Sequence, residues 1–177
     1  MCACFTIAGD SYKSVTGYTC IEEYALIENI LVALDGSKAA DKALDYALDL
    51  AEKYAATVVL LTVVDAVPVP LTAYAAPDMQ PLAPVFMEKY LKELKKHHEN
   101  MLAKALNKAT KSKPSVKIST KLVEGRPAPT IIETAKAGAF DIIVMGSRGL
   151  GGIKEFFLGS VSDRVADEAP CPVLIVK

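Results

Sequence analysis

The stretch DIIVMGSRGLGGIKEFFLGSVSDRV, residues 141–165, passes from a β-branched apolar run through five glycines into a run with helical spacing. A strand that leads through a bare turn into a helix is the repeating half of an α/β sheet. Glycine lets main-chain N–H groups take positive φ and crowd a ligand, and a helix N-terminus behind such a loop attracts anions, phosphate above all.

Outward from this segment the same alternation repeats. NILVAL (29–34) is a short buried strand that ends in Asp35-Gly36-Ser37, a turn followed by a helix N-cap. From Lys38 onward Ala40, Ala43, Leu44, Ala47, Leu50, Ala51 and Tyr54 recur at helical spacing, with charged residues between them. TVVLLTVVD (57–65) is continuously apolar, as expected of a parallel strand covered by helices on both faces. Residues 66–84 hold five prolines and read as a long loop of the kind that serves as a lid, with Pro84 at the start of the next helix. The buried face of that helix is expected at Met87, Tyr90, Leu91, Leu94, His98, Met101, Leu102, Ala105 and Leu106.

VKISTKLVEG (116–125) alternates as an edge strand does, and RPAPTIIETAKAG supplies proline at a helix start and Gly138 beyond its end. FDIIVMG, a short helix from Ser160 to Glu168 and PCPVLIVK (170–177) complete a β-α-β-α-β-α-β-α-β order. That order predicts an open five-stranded parallel sheet flanked by helices on both faces. Residues 1–28 show neither strand nor helix period and are set aside as an N-terminal extension, which leaves 29–177 as the folded domain.

Bulk properties narrow the partners. Twenty basic and 21 acidic residues give a net charge of -1, no basis for a nucleic-acid groove or an anionic membrane surface. The apolar runs are shorter than the roughly 20 residues of a membrane span, and no basic residue precedes the apolar start, so the expected location is cytoplasmic. Of the four cysteines, Cys2, Cys4 and Cys20 lie in the extension and Cys171 lies between two prolines; free thiols fit better than a zinc site. His97 and His98 are adjacent on a helix and point in different directions, so they do not form a metal pair, and Lys92, Lys95 and Lys96 read as that helix's wet face.

The glycine loop lacks both the P-loop lysine pattern and G-x-G-x-x-G. What remains, Gly146-x-x-Gly149, nine residues, then Gly159-Ser160, resembles the ATP-binding signature of the universal stress protein family, G-x2-G-x9-G-S/T. ILVALDGS, VVLLTVVD, VEGRPAPTIIETA and PCPVLIVK resemble further blocks of that family in the same order, over about residues 29–177.

The resemblance implies a Rossmann-like, adenine nucleotide alpha hydrolase-like sheet of order 3-2-1-4-5 and a nucleotide crevice where that order reverses. It implies Ala33, Leu34 and Asp35 on the ribose side, Val63 at the adenine edge through its main chain, and Met145 packed near the nucleoside. Gly146, Arg148 and Gly149 then begin the phosphate loop, and Gly159, Ser160, Val161 and Ser162 face the phosphates. The ligand implied is ATP, ADP or AMP, with Mg or Mn held through the phosphates rather than by a protein cage. A homodimer through the terminal strand, 172–176, is implied as well, because VLIVK closes the chain as an apolar edge.

Three functions are compatible with these residues. The first is an ATP-binding stress or signalling module with no assigned catalytic residue. The second is a slow hydrolase or nucleotidyl-transfer enzyme using Asp35, Asp65, Glu124 or Arg148; the third is a nucleotide-free interaction dimer. Rapid catalysis needs a positioned base, which the sequence does not offer, so the binding module leads.

Overall fold

The computed structural model describes residues 27–65, 83–149 and 158–177, the side chains of 83–87 excepted. Residues 1–26, most of the proline-rich loop (66–82) and the glycine-loop segment 150–157 lie outside the described residues. The elements are β1 (Asn29–Ala33), α1 (Lys38–Tyr54), β2 (Thr57–Val64), α2 (Ala83–Ser112), β3 (Lys117–Glu124), α3 (Pro127–Ala137), β4 (Ile142–Gly146), α4 (Ser160–Glu168) and β5 (Val173–Val176). All strand pairs are parallel and the sheet order is β3-β2-β1-β4-β5, as expected from the sequence.

β1 is central and shows how five residues fix two layers. Ile30 and Val32 point to one face, into a core shared with Leu44 and Leu48 of α1 and Leu102 and Ala109 of α2. Leu31 points to the other, toward Ile131 of α3 and Val165 of α4. All three β1 side chains are fully buried, and each such burial is worth about 1.5–3 kcal/mol. The unalternated run of β2 has the same cause, with Val58 and Leu60 on the first face and Leu61 on the second.

α1 begins where the turn chemistry places it. Ser37 is the N-cap and its Oγ accepts from the Ala40 amide at 3.1 Å, while Gly36 before it takes φ +82. The buried stripe is Ala40, Ala43, Leu44, Ala47, Leu48 and Ala51; Leu48 replaces the expected Leu50, which is only half-buried, because 40, 44 and 48 align along one helix face.

α2 departs further from expectation. Leu94, His98, Met101, Leu102, Ala105 and Leu106 are buried or part-buried, whereas Tyr90 is 53% and Leu91 36% exposed. A 30-residue helix is about 45 Å long and eight-residue strands only about 26 Å, so one end of α2 overshoots the sheet it packs on. α2 starts at Ala83, so the last two residues assigned to the proline-rich loop belong to it.

α3 has Pro127 in its first turn and Gly138 as its C-cap. Gly138 itself has φ -94; the left-handed residue is Ala139, φ 47, and a Cβ on Gly138 would collide with the Phe140 ring.

The start of β1 is tied to the start of β4 by a carboxylate. Asp141 Oδ2 accepts from the amides of Glu28 and Asn29 at 2.9 and 2.8 Å, and the Asp141 amide donates to the Asn29 carbonyl at 3.0 Å. Charge-assisted bonds to backbone N–H groups are about twice as strong as neutral ones. Asp141→Ala is therefore expected to lower stability by about 1–3 kcal/mol at unchanged m value in urea unfolding.

Candidate functional site

The sheet order reverses between β1 and β4. The chain leaves β1 through α1 toward β2 on one side, and leaves β4 through α4 toward β5 on the other. Beyond the tips of these strands lies a crevice of about 870 Å³, at the upper end of the size range of small-molecule sites.

The twelve residues assigned to the nucleotide all line this crevice, whereas Asp65 and Glu124, considered for the enzyme alternative, are not among its lining residues. Ala33, Leu34 and Asp35 come from the end of β1, Val63 from β2, and Met145 and Gly146 from β4. Arg148 and Gly149 begin the loop after β4, and Gly159, Ser160, Val161 and Ser162 carry the chain into α4. Six more lining residues were not assigned from sequence: Ala40, Leu61, Pro127, Ile131, Leu158 and Asp163. Pro127 stands in a block that resembles the family, so α3 as a third wall was open to notice; Leu61 and Ile131 read only as core.

Hydroxyls hold the walls in place. Ser37 links the two loops: its amide donates to Asp35 Oδ1 at 3.0 Å and its Oγ donates to the Arg148 carbonyl at 3.1 Å. Thr62, only 1% exposed, donates its hydroxyl to the Leu34 carbonyl at 2.7 Å, and the Leu34 amide donates to the Leu61 carbonyl at 2.8 Å. Asp35 thus projects from a backbone fixed on both sides.

α4 is docked through Ser147. The Ser147 amide donates to the Val176 carbonyl at 2.7 Å, and the Ser147 carbonyl accepts from the Gly159 amide at 2.8 Å and from Ser162 Oγ at 2.9 Å. Ser162 Oγ also lies 2.9 Å from the Gly159 carbonyl. Ser162 is 2% exposed and its one hydroxyl proton is directed to these carbonyls, so it is an anchor rather than the expected ligand donor. Ser160 is exposed. The first intrahelical bond of α4 is Asp163 N–H to the Gly159 carbonyl, 2.9 Å, which leaves the amides of Ser160, Val161 and Ser162 without an acceptor in the helix. Gly159, the N-cap, brings no side chain to them.

The three glycines of the loop differ in what the fold asks of them. A Cβ on Gly146 would sit 2.8 Å from the Ala40 nitrogen, and one on Gly149 would sit 2.5 Å from Asp35 Oδ2. At Gly159 the nearest atom of the described residues would be the Ser147 carbonyl oxygen at 3.4 Å, an ordinary contact, and φ is -76. Packing against the α1 backbone therefore requires Gly146, a side chain at Gly149 would displace the Asp35 carboxylate, and at Gly159 the described residues leave room.

His98 approaches this network from α2. Its Nδ1 lies 3.5 Å from Thr62 Oγ1, and burial, followed by the neighbouring His97, lowers its pKa from the usual 6.5. With a depressed folded-state pKa the unfolded chain takes up the proton first, so stability is full above the unfolded value and falls as pH drops below about 6.5. Melting temperatures measured from about pH 7.5 to 5.5 should fall less steeply for His98→Gln than for the wild type.

Among the described residues, no three His, Cys, Asp or Glu side chains come together as a metal cluster, and no helix is long and apolar enough to cross a membrane.

A five-stranded parallel sheet with its crevice at the order reversal defines a Rossmann-like α/β protein. The profile described as "Universal stress protein family" matches residues 27–177. Universal stress protein YxiE of Bacillus subtilis (strain 168) is 37% identical over 153 residues, which span 86% of this chain and 100% of that one. Universal stress protein UspA from Lactobacillus plantarum superposes with a TM-score of 0.72 at 26% identity, over 85% of this chain and 98% of its own. A universal stress protein solved in complex with cAMP gives a TM-score of 0.59 at 25% identity, over 85% and 96% of the two chains. The chain belongs to the universal stress protein family.

Proposed function

We propose that the crevice binds an adenine nucleotide and that the protein is a stress-response or signalling module whose surface reports the bound state. The observation that carries this reading is Gly159. It stands at the N-cap of α4, where the described residues leave room for a side chain, beside three amides that lack an intrahelical acceptor. A phosphate seated on those amides is the group that a side chain there would obstruct. Met145, Val63, Leu61 and Ile131 offer an apolar wall for a base, and Asp35 lies at the tip of β1 for a ribose hydroxyl. The complex of a relative with cAMP supports the ligand class. A divalent cation such as Mg or Mn would enter as the counter-ion of the phosphates.

Gly159→Val should weaken ATP, ADP or AMP binding in calorimetry more than tenfold and lower stability by only about 1 kcal/mol. Unchanged affinity in the folded variant would remove the phosphate from α4. Wild-type turnover of ATP is expected below about one per minute, a barrier that marks a binding module; mass spectrometry of nucleotide released from the purified protein identifies the ligand.

The same reading includes a homodimer through β5. β5 is an edge of the sheet, and Pro172 and Val176 give their carbonyls to β4, through the amides of Ile143 and Ser147. Alternation along a strand then turns the N–H and C=O of Val173 and Ile175 outward. Their side chains are part-exposed, and pairing with a second copy would cover this edge. Sedimentation should give a dimer for the wild type and a weakened one for Ile175→Pro, which removes an outward donor and no donor to β4. A wild-type protein that stays monomeric at high micromolar concentration would contradict it.

A further inference from the structure

α4 offers its positive end to two anions. Its first turn carries Asp163, exposed and lining the crevice, and a carboxylate there is attracted to the same N-terminal amides that a phosphate would occupy. The other charged lining residues among those described are Asp35, whose Oδ1 accepts from the Ser37 amide, and Arg148. Two carboxylates and one guanidinium are a poor match for a ligand with several negative charges.

Resting on the nucleotide reading of the crevice, we propose that Asp163 is a specificity-determining residue that selects among nucleotides by phosphate charge. In the free protein its carboxylate stabilises α4 through the helix dipole. Once a phosphate sits on the α4 amides, the same carboxylate repels it, and the repulsion grows with the charge of the ligand. A cyclic monophosphate carries one negative charge, an open monophosphate about two and a triphosphate about four near neutral pH. The residue therefore disfavours the triphosphate most and the cyclic ester least. It also ties affinity to ionic conditions, because salt screens a contact at the exposed rim.

The two roles of Asp163 have opposite signs, which makes them separable. Calorimetric titration of the wild type, Asp163→Asn and Asp163→Glu with cAMP, AMP and ATP at low salt reads the charge dependence, and thermal melting of the ligand-free proteins reads the helix. Asp163→Asn is expected to tighten ATP about threefold to tenfold, AMP by less and cAMP by under about twofold, while its melting temperature falls. Asp163→Glu should keep the wild-type order, as should Asp167→Asn, which removes a carboxylate from the other end of α4. In about 0.5 M salt, or with excess Mg²⁺ to neutralise the triphosphate, the gain on ATP should shrink. An equal change for all three ligands, or a lower melting temperature with no gain on ATP, would overturn the proposal and leave Asp163 as a helix-dipole partner alone. Failure of the wild type to bind any of the three would instead overturn the nucleotide reading, and this one with it.

Discussion

The Ser147 carbonyl accepts hydrogen bonds from the Gly159 amide and the Ser162 hydroxyl, at 2.8 and 2.9 Å, while the Ser147 amide is held by β5 through Val176. Through this one residue the tip of β4, the end of β5 and the start of α4 are locked together. The lock fixes the start of α4, whose Ser160, Val161 and Ser162 line the crevice, and it does so with buried groups, Ser147 at 4% and Ser162 at 2% exposure. A hydrogen bond in such a place is worth only about 1 kcal/mol net, but an unmade one costs about 1–3, so the arrangement is strongly specified. Ser37 performs the matching task at β1, bridging the Asp35 turn and the Arg148 carbonyl.

These polar pins operate because the sheet beneath them is rigid. β1 is buried on both faces and paired along its length to β2 and β4, so the two loops start from fixed points on neighbouring strands. The Asp141 carboxylate secures the opposite end of the same pair of strands. Ion pairs contribute on the outside: Lys108 with Asp45 joins α2 to α1, and Lys113, just past the end of α2, pairs with Asp49 and Glu52 of α1, at the surface where solvent screens such contacts. The core sets the geometry and the surface charges trim it.

Hydrophobic period made the elements legible, and turn chemistry made their starts legible. Continuous apolar runs named β1, β2 and β4, alternation named β3 as an edge, and Ser37, Pro127 and Gly138 marked helix ends. The twelve residues that the family resemblance assigned to the nucleotide meet at one crevice. What period cannot encode is length mismatch, which exposes Tyr90 and Leu91 on the overshooting end of α2. Nor can it encode partners distant in sequence: the bonds of Ser37 to Arg148 and Asn29 to Asp141 each cross more than a hundred residues. Ser162 looked like a ligand donor because its hydroxyl is next to the phosphate-type loop; only the fold shows that the Ser147 carbonyl claims it.

The central claim is that backbone amides at the start of α4 receive the phosphate of a nucleotide. Amide proton resonances of Ser160, Val161 and Ser162, followed by NMR as an adenine nucleotide is titrated in, test it directly. The account predicts large downfield shifts of these three amides, saturating with the same dissociation constant as the calorimetric binding curve. Saturable binding that leaves them in place while shifting amides elsewhere would contradict it.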